Sequence, residues 1–203
     1  MDRNIKIQIS GGFFIFLAIL LLLLPIQWVA AAAVAALVHE IFHASAVYLC
    51  GGFVRQIRLG SRGVVMEIIG LSGIQEGLCA LAGPLGSFLL LLLLNRFPRV
   101  ALCGAAHGLY NLIPLFPLDG GRAIRSVLFS FLSPPKADIL FGYSQKMIVL
   151  VIACTSVYFA FRMGCMPLLL GILLLRGVKV ENPLAKKPFW RYNRSNIDKG
   201  VRQ

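Results

Sequence analysis

Between residues 11 and 175 the chain keeps returning to runs of apolar residues, at 11–24, 28–50, 74–95, 100–118, 146–161 and 166–175. That repetition restricts the folds open to it more than any other feature. Backbone amides in hydrocarbon must be satisfied within the chain, so long apolar runs in a membrane become helices. A span needs roughly 20 such residues, fewer where the bilayer thins. One cleavable leader cannot account for several blocks. With 58% hydrophobic and only 14% charged residues and a mean hydropathy of +0.81, the chain falls outside the range of soluble domains. The expectation is an all-α polytopic membrane protein of about six transmembrane helices in one membrane unit, residues 1–178, followed by a basic cytoplasmic tail, residues 179–203.

The blocks differ in character. Residues 11–24 make only about 21 Å of helix and end at Pro25, so that block can span only with help from residues 5–9 or from a locally thinned bilayer. Residues 28–50 are Ala-rich, of full spanning length, and close on Gly51-Gly52. Residues 53–69 switch to short β-type runs around Gly60-Ser61-Arg62-Gly63, which predicts a small β hairpin. Residues 74–95 carry Ala82-Gly83-Pro84, small residues suited to close contact between helices. The block at 100–118 is broken by Pro114 and Pro117; a short interfacial segment follows, and Pro134-Pro135 are expected to open a loop before two last helices.

A formal net charge of +12 is not a nucleic-acid signature here, because the basic residues sit at the ends of apolar blocks and in the tail. Arg3, Lys6, Arg55, Arg58, Arg62, Arg122, Arg125 and the tail fall on one side of six spans, with Arg96 and Arg99 against the trend. Both termini are therefore expected in the cytoplasm of a bacterial membrane. The tail, with seven basic residues against two acids, is expected to be disordered or to lie on anionic headgroups. Cys50, Cys79, Cys103, Cys154 and Cys165 lack metal-site spacing and read as packing residues.

The chemistry concentrates in His39-Glu40-Ile41-Phe42-His43, inside the second apolar block. Residues four apart on a helix share a face, so both imidazoles can serve one metal. Glu40 then stands beside it as a proton acceptor. Imidazole and carboxylate with an open position suit zinc. Ionisable side chains in a spanning helix cost about 2.5 to 3.5 kcal/mol each, and three clustered ones require a compensating role. A third ligand is needed from only eight acidic residues. Asp119 ends a proline-broken apolar block before two glycines, a context that fits a ligand and an ordinary turn residue equally well. His107 lies four residues before Asn111 and reads either as a group near the metal or as a hydrogen-bonded histidine between helices.

Taken together, His39-Glu40-Ile41-Phe42-His43, Ala82-Gly83-Pro84 and the segment Asn111-Leu112-Ile113-Pro114-Leu115-Phe116-Pro117-Leu118-Asp119-Gly120-Gly121-Arg122 resemble, in order, the signature segments of the site-2 protease family. Among its members the sporulation subgroup that processes a sigma-factor precursor is most similar in helix content. The resemblance implies an intramembrane zinc metalloprotease in regulated intramembrane proteolysis. It implies His39, His43 and Asp119 as Zn2+ ligands, Glu40 as the general base, Asn111 as a substrate-binding residue and the hairpin as an edge for an extended substrate. Phe42 stands where the family usually has a small residue, and Ser87 where it usually has Asn; both read as local changes of packing. The expected partners are the lipid bilayer, a membrane-associated protein substrate and a regulatory membrane protein, with no nucleic acid. The alternative from another class is an ion or metal transporter with buried His, Glu and Asp coordination.

Overall fold

The computed structural model describes residues 6–60 and 63–163. Strand β1 (Lys6–Ile9) leads directly into α1 (Gly11–Leu23) and then α2 (Ile26–Leu49). The hairpin β2 (Phe53–Gly60) and β3 (Gly63–Ile69) follows, then α3 (Gly73–Leu89) with a tighter final turn at Leu90–Leu93. Helices α4 (Pro98–Leu112), α5 (Asp119–Phe131) and α6 (Pro134–Met163) complete the order. The expected helix at 166–175 and the basic tail lie outside the described residues. Among the described residues three helices are long and apolar enough to cross a membrane, Ile26–Leu49, Gly73–Leu93 and Pro134–Arg162; α1 is apolar but shorter.

Local chemistry explains most boundaries. Pro25 ends α1, because a residue before proline is pushed out of the helical region. A capping box opens α3, where the Ser72 amide donates to Gln75 Oε1 at 2.8 Å. Pro98 stands in the first turn of α4, where its missing N–H is not needed. The same rule corrects one expectation: Pro134 and Pro135 begin α6 rather than a loop, so a single helix of 30 residues starts 12 residues earlier than the apolar run.

The hairpin forms where expected, with Ile57 opposite Met66 and Leu59 opposite Val64 and an irregularity between Val54 and Gln56. Residues 6–9 do not lengthen α1. Lys6–Ile9 instead pair in parallel with β2, Ile7 opposite Ile57 and Ile9 opposite Leu59, making a three-stranded sheet in the order β1-β2-β3.

Helices α2, α3 and α4 pack around small residues, with Ala31, Ala35, Ala80 and Ala101 all buried. Without a hydrophobic driving force between helices in lipid, close backbone approach is the main source of their association. At Gly86 of α3, the Phe42 ring of α2 occupies the place a Cβ would take. Ser126 Oγ on α5 donates to the Gly73 carbonyl, joining α5 to the start of α3. A second cluster, Val47, Val54 and Cys79, ties the sheet to the helices. The polarity is that of a membrane protein: His39, His43, Ser87, Asp119, Ser126 and Gln145 are buried, while Leu22, Leu92 and Phe161 face outward.

Candidate metal centre

His39 and His43 lie on successive turns of α2, both buried, with the two Nε2 atoms 3.0 Å apart. Asp119 is the first residue of α5 and is 6% exposed. Its Oδ2 is 3.0 Å from the Nε2 of each histidine, so the three atoms form a nearly equilateral triangle. The proline-broken segment expected from the sequence delivers Asp119 there. α4 ends at Leu112, the chain turns through Ile113–Leu118 with a cis bond at Phe116-Pro117, and α5 starts with its first carboxylate against the imidazoles. Gly120 and Gly121 then lie directly on the backbone of Leu112 and Leu115, where a Cβ has no room.

Each ring is held from behind. His43 Nδ1 is 2.7 Å from the Cys79 carbonyl oxygen. A carbonyl only accepts, so Nδ1 carries the proton and Nε2 presents its lone pair to the centre. His39 Nδ1 is 2.8 Å from Ser87 Oγ, and Ser87 is fully buried. Gly83 allows α3 this close, since a Cβ there would fall inside the His43 imidazole. On the other side of Asp119, Arg122 Nη1 lies 3.4 Å from Oδ1, which leaves Oδ2 for the centre.

The His43 lone pair and the Asp119 carboxylate oxygen, 3.0 Å apart, repel each other, and a cation seated between them and His39 Nε2 removes that repulsion. The donor set suits zinc. Tetrahedral bonds of about 2.0 to 2.1 Å put neighbouring ligands about 3.3 Å apart, close to the separations found. Among the described residues these three form the group able to hold a metal ion.

The other expected residues are distributed around this triangle. Glu40, half-buried, is within electrostatic reach of His43, Asp119 and Arg122. His107 of α4 sets its ring edge-on to His39, with centroids 4.5 Å apart. Asn111, half-buried at the end of α4, turns its Nδ2 back to the His107 carbonyl at 3.0 Å.

Sequence reasoning assigned Ser87 to packing and gave Arg122 no part in the site. Ser87 carried a readable signal, being a polar side chain in a spanning helix, yet its partner is 48 residues away. The two departures from the signature segments also find their places: Phe42 fits because Gly86 faces it, and Ser87 bonds the first histidine.

Known proteins resemble this chain in sequence and in fold. A family model described as peptidase M50B-like matches residues 13–115, a span that includes both histidines and ends before Asp119. A zinc metalloprotease of Methanocaldococcus jannaschii is 28% identical over 173 residues, 71% of this chain and 49% of that protein. The chain thus spans about half the length of that relative. The solved structure of a site-2 protease from Methanocaldococcus jannaschii superposes with a TM-score of 0.63 at 22% identity, covering 90% of this chain and 96% of that one. It shares the fold.

Proposed function

The chain belongs to the peptidase M50B-like family, and from that premise we propose that it is an intramembrane zinc metalloprotease cutting membrane-associated proteins near the cytoplasmic surface. The observation that carries this reading is the buried triangle of His39 Nε2, His43 Nε2 and Asp119 Oδ2, with both rings pinned at Nδ1. His39, His43 and Asp119 are the ligands in this proposal, and Glu40 is the general base.

Zinc, when bound, supplies Lewis acidity toward the scissile carbonyl and the attacking water. Glu40 takes a proton from that water and returns it to the leaving amine. It sits one residue from His39 on the same helix, so the ligand and the base move together. Asn111 is the substrate-binding candidate: its amide bonds the His107 carbonyl of its own helix and can turn to an unwound substrate backbone. A spanning substrate helix has no free backbone donors or acceptors, so it must unwind before cleavage. The outer edge of β3 offers a template for such an extended segment.

The substrate class proposed is a sigma-factor precursor or another membrane-tethered regulator, as in the sporulation subgroup that the signature segments resemble. Both termini are assigned to the cytoplasm of a bacterial membrane from the distribution of basic residues. Transporters of this kind are built from inverted repeats, and no such repeat is apparent in the sequence beside the two protease signature segments.

Glu40→Gln tests the mechanism. Co-expressed with candidate tethered regulators, it should leave them uncut while the purified protein keeps its zinc, since only the base is lost. Wild-type cleavage by Glu40→Gln would refute the assignment. Comparing membrane proteomes of cells with active and inactive protein tests the substrate class, and targets confined to exported soluble proteins would exclude it.

A further inference from the structure

Gln145 is among the most deeply buried side chains, at 1% exposure, and it lies on α6, away from the four residues assigned to the chemistry. Its amide spans the turn that precedes Asp119. The Phe116 N–H donates to Gln145 Oε1 at 2.7 Å, and Gln145 Nε2 donates to the Pro114 carbonyl at 2.9 Å. A side-chain amide thus pairs with two backbone groups as a neighbouring strand would. Two prolines flank the segment and cannot donate, so its polar groups depend on such a partner.

The connection to the metal triangle is short. Leu115, between the two bonded residues, is fully buried, and its carbonyl accepts from the Leu118 N–H at 2.8 Å, one residue before Asp119. Gly121 rests on the backbone of Leu115 and Phe116. The position of the 114–116 backbone therefore fixes where α5 begins. On α6 the buried residues Ala137, Phe141 and Gln145 recur every four positions, and Phe141 meets Phe116 edge-on at 6.5 Å.

We propose that Gln145 is a positioning residue for the metal centre: through its two amide bonds to the 114–116 turn it sets the place of the Asp119 carboxylate. The proposal rests on Asp119 being a zinc ligand. Replacing Gln145 by an apolar side chain of similar length leaves one buried acceptor and one buried donor unpaired and frees the turn to shift. Fixed ligand geometry matters to within about 0.5 Å at such sites.

The test uses the full chain in detergent, with zinc affinity measured against a chromophoric chelator and the visible spectrum of the Co2+-substituted protein reporting ligand geometry. Gln145→Met should weaken zinc binding about 10- to 100-fold, the range for outer positioning groups, and alter the Co2+ spectrum. Gln145→Glu keeps an acceptor for Phe116 and should fall between it and wild type, which also covers the case in which Gln145→Met does not fold. Leu140→Ala, a change at an exposed position of the same helix, should leave the spectrum unchanged. Wild-type affinity and spectrum in both Gln145 variants would overturn the proposal, as would an equal spectral change in Leu140→Ala. Asp119→Asn is measured alongside: if it kept zinc as wild type does, the ligand assignment itself would be at fault.

Discussion

Ser87→Ala isolates one hydrogen bond behind a proposed ligand. Ser87 is fully buried, its hydroxyl 2.8 Å from His39 Nδ1 and its Cβ facing Gly108 of α4. Alanine keeps the Cβ and its packing and removes a single oxygen. With zinc on Nε2, the Nδ1–H then loses its protein acceptor. A buried unsatisfied donor costs about 1 to 3 kcal/mol. The metal-free protein also loses the hydroxyl, so the difference between the two states is the lower part of that range, about 1 to 2 kcal/mol, or about 5- to 30-fold in zinc affinity. The free ring can also place its proton on Nε2 and donate to Asp119 Oδ2 at 3.0 Å, which occupies the atom zinc needs. Chelator competition in detergent gives the ratio directly, and a thermal melt of the metal-free forms checks that the fold is unchanged. A zinc affinity within twofold of wild type would refute the assignment of Ser87 to His39.

Asp119→Asn should weaken zinc and lower turnover by orders of magnitude, because a neutral amide replaces an anionic ligand. His107→Ala, which removes a ring stacked on His39, should cost about 10- to 100-fold; zinc content and turnover of the two variants side by side decide between them. Gly83→Ala should abolish zinc binding, since the new Cβ lands in the His43 ring, and elemental analysis of the purified variant reads this. Arg122→Gln removes a partly exposed ion pair and should weaken zinc only about 1.5- to 5-fold, an effect that added salt should shrink.

The sequence made the local parts of this molecule readable. His39 and His43 share a helical face by spacing alone, and the hairpin announces itself by a change of period. Asp119 was ambiguous from its surroundings, because Asp before Gly-Gly serves a turn as well as a ligand; the folded chain brings it across 76 residues to His43. Ser87 and Gln145 could not be paired with their partners, which lie 48 residues away for Ser87 and 29 and 31 for Gln145. Strand β1 was missed because four residues before an apolar helix read as its extension, and only a parallel partner 50 positions on makes them a strand. Pro134-Pro135 misled for a different reason: proline breaks a helix in its middle and suits its beginning.

The way α6 is attached has a mechanical consequence. Among the described residues, those buried on it, Ala137, Phe141, Gly142 and Gln145, lie in the first half of a 30-residue helix. The next 18 residues, about 27 Å at 1.5 Å each, have no buried side chain among the described residues and extend like a cantilever from a clamp beside the metal triangle. A tilt of about 10° about that clamp carries the far end through roughly 5 Å while the Gln145 amide hardly moves. Membranes of different thickness impose tilts of this size on spanning helices. The helix can follow the bilayer at its far end and still hold the Pro114 and Phe116 backbone in place at the near one.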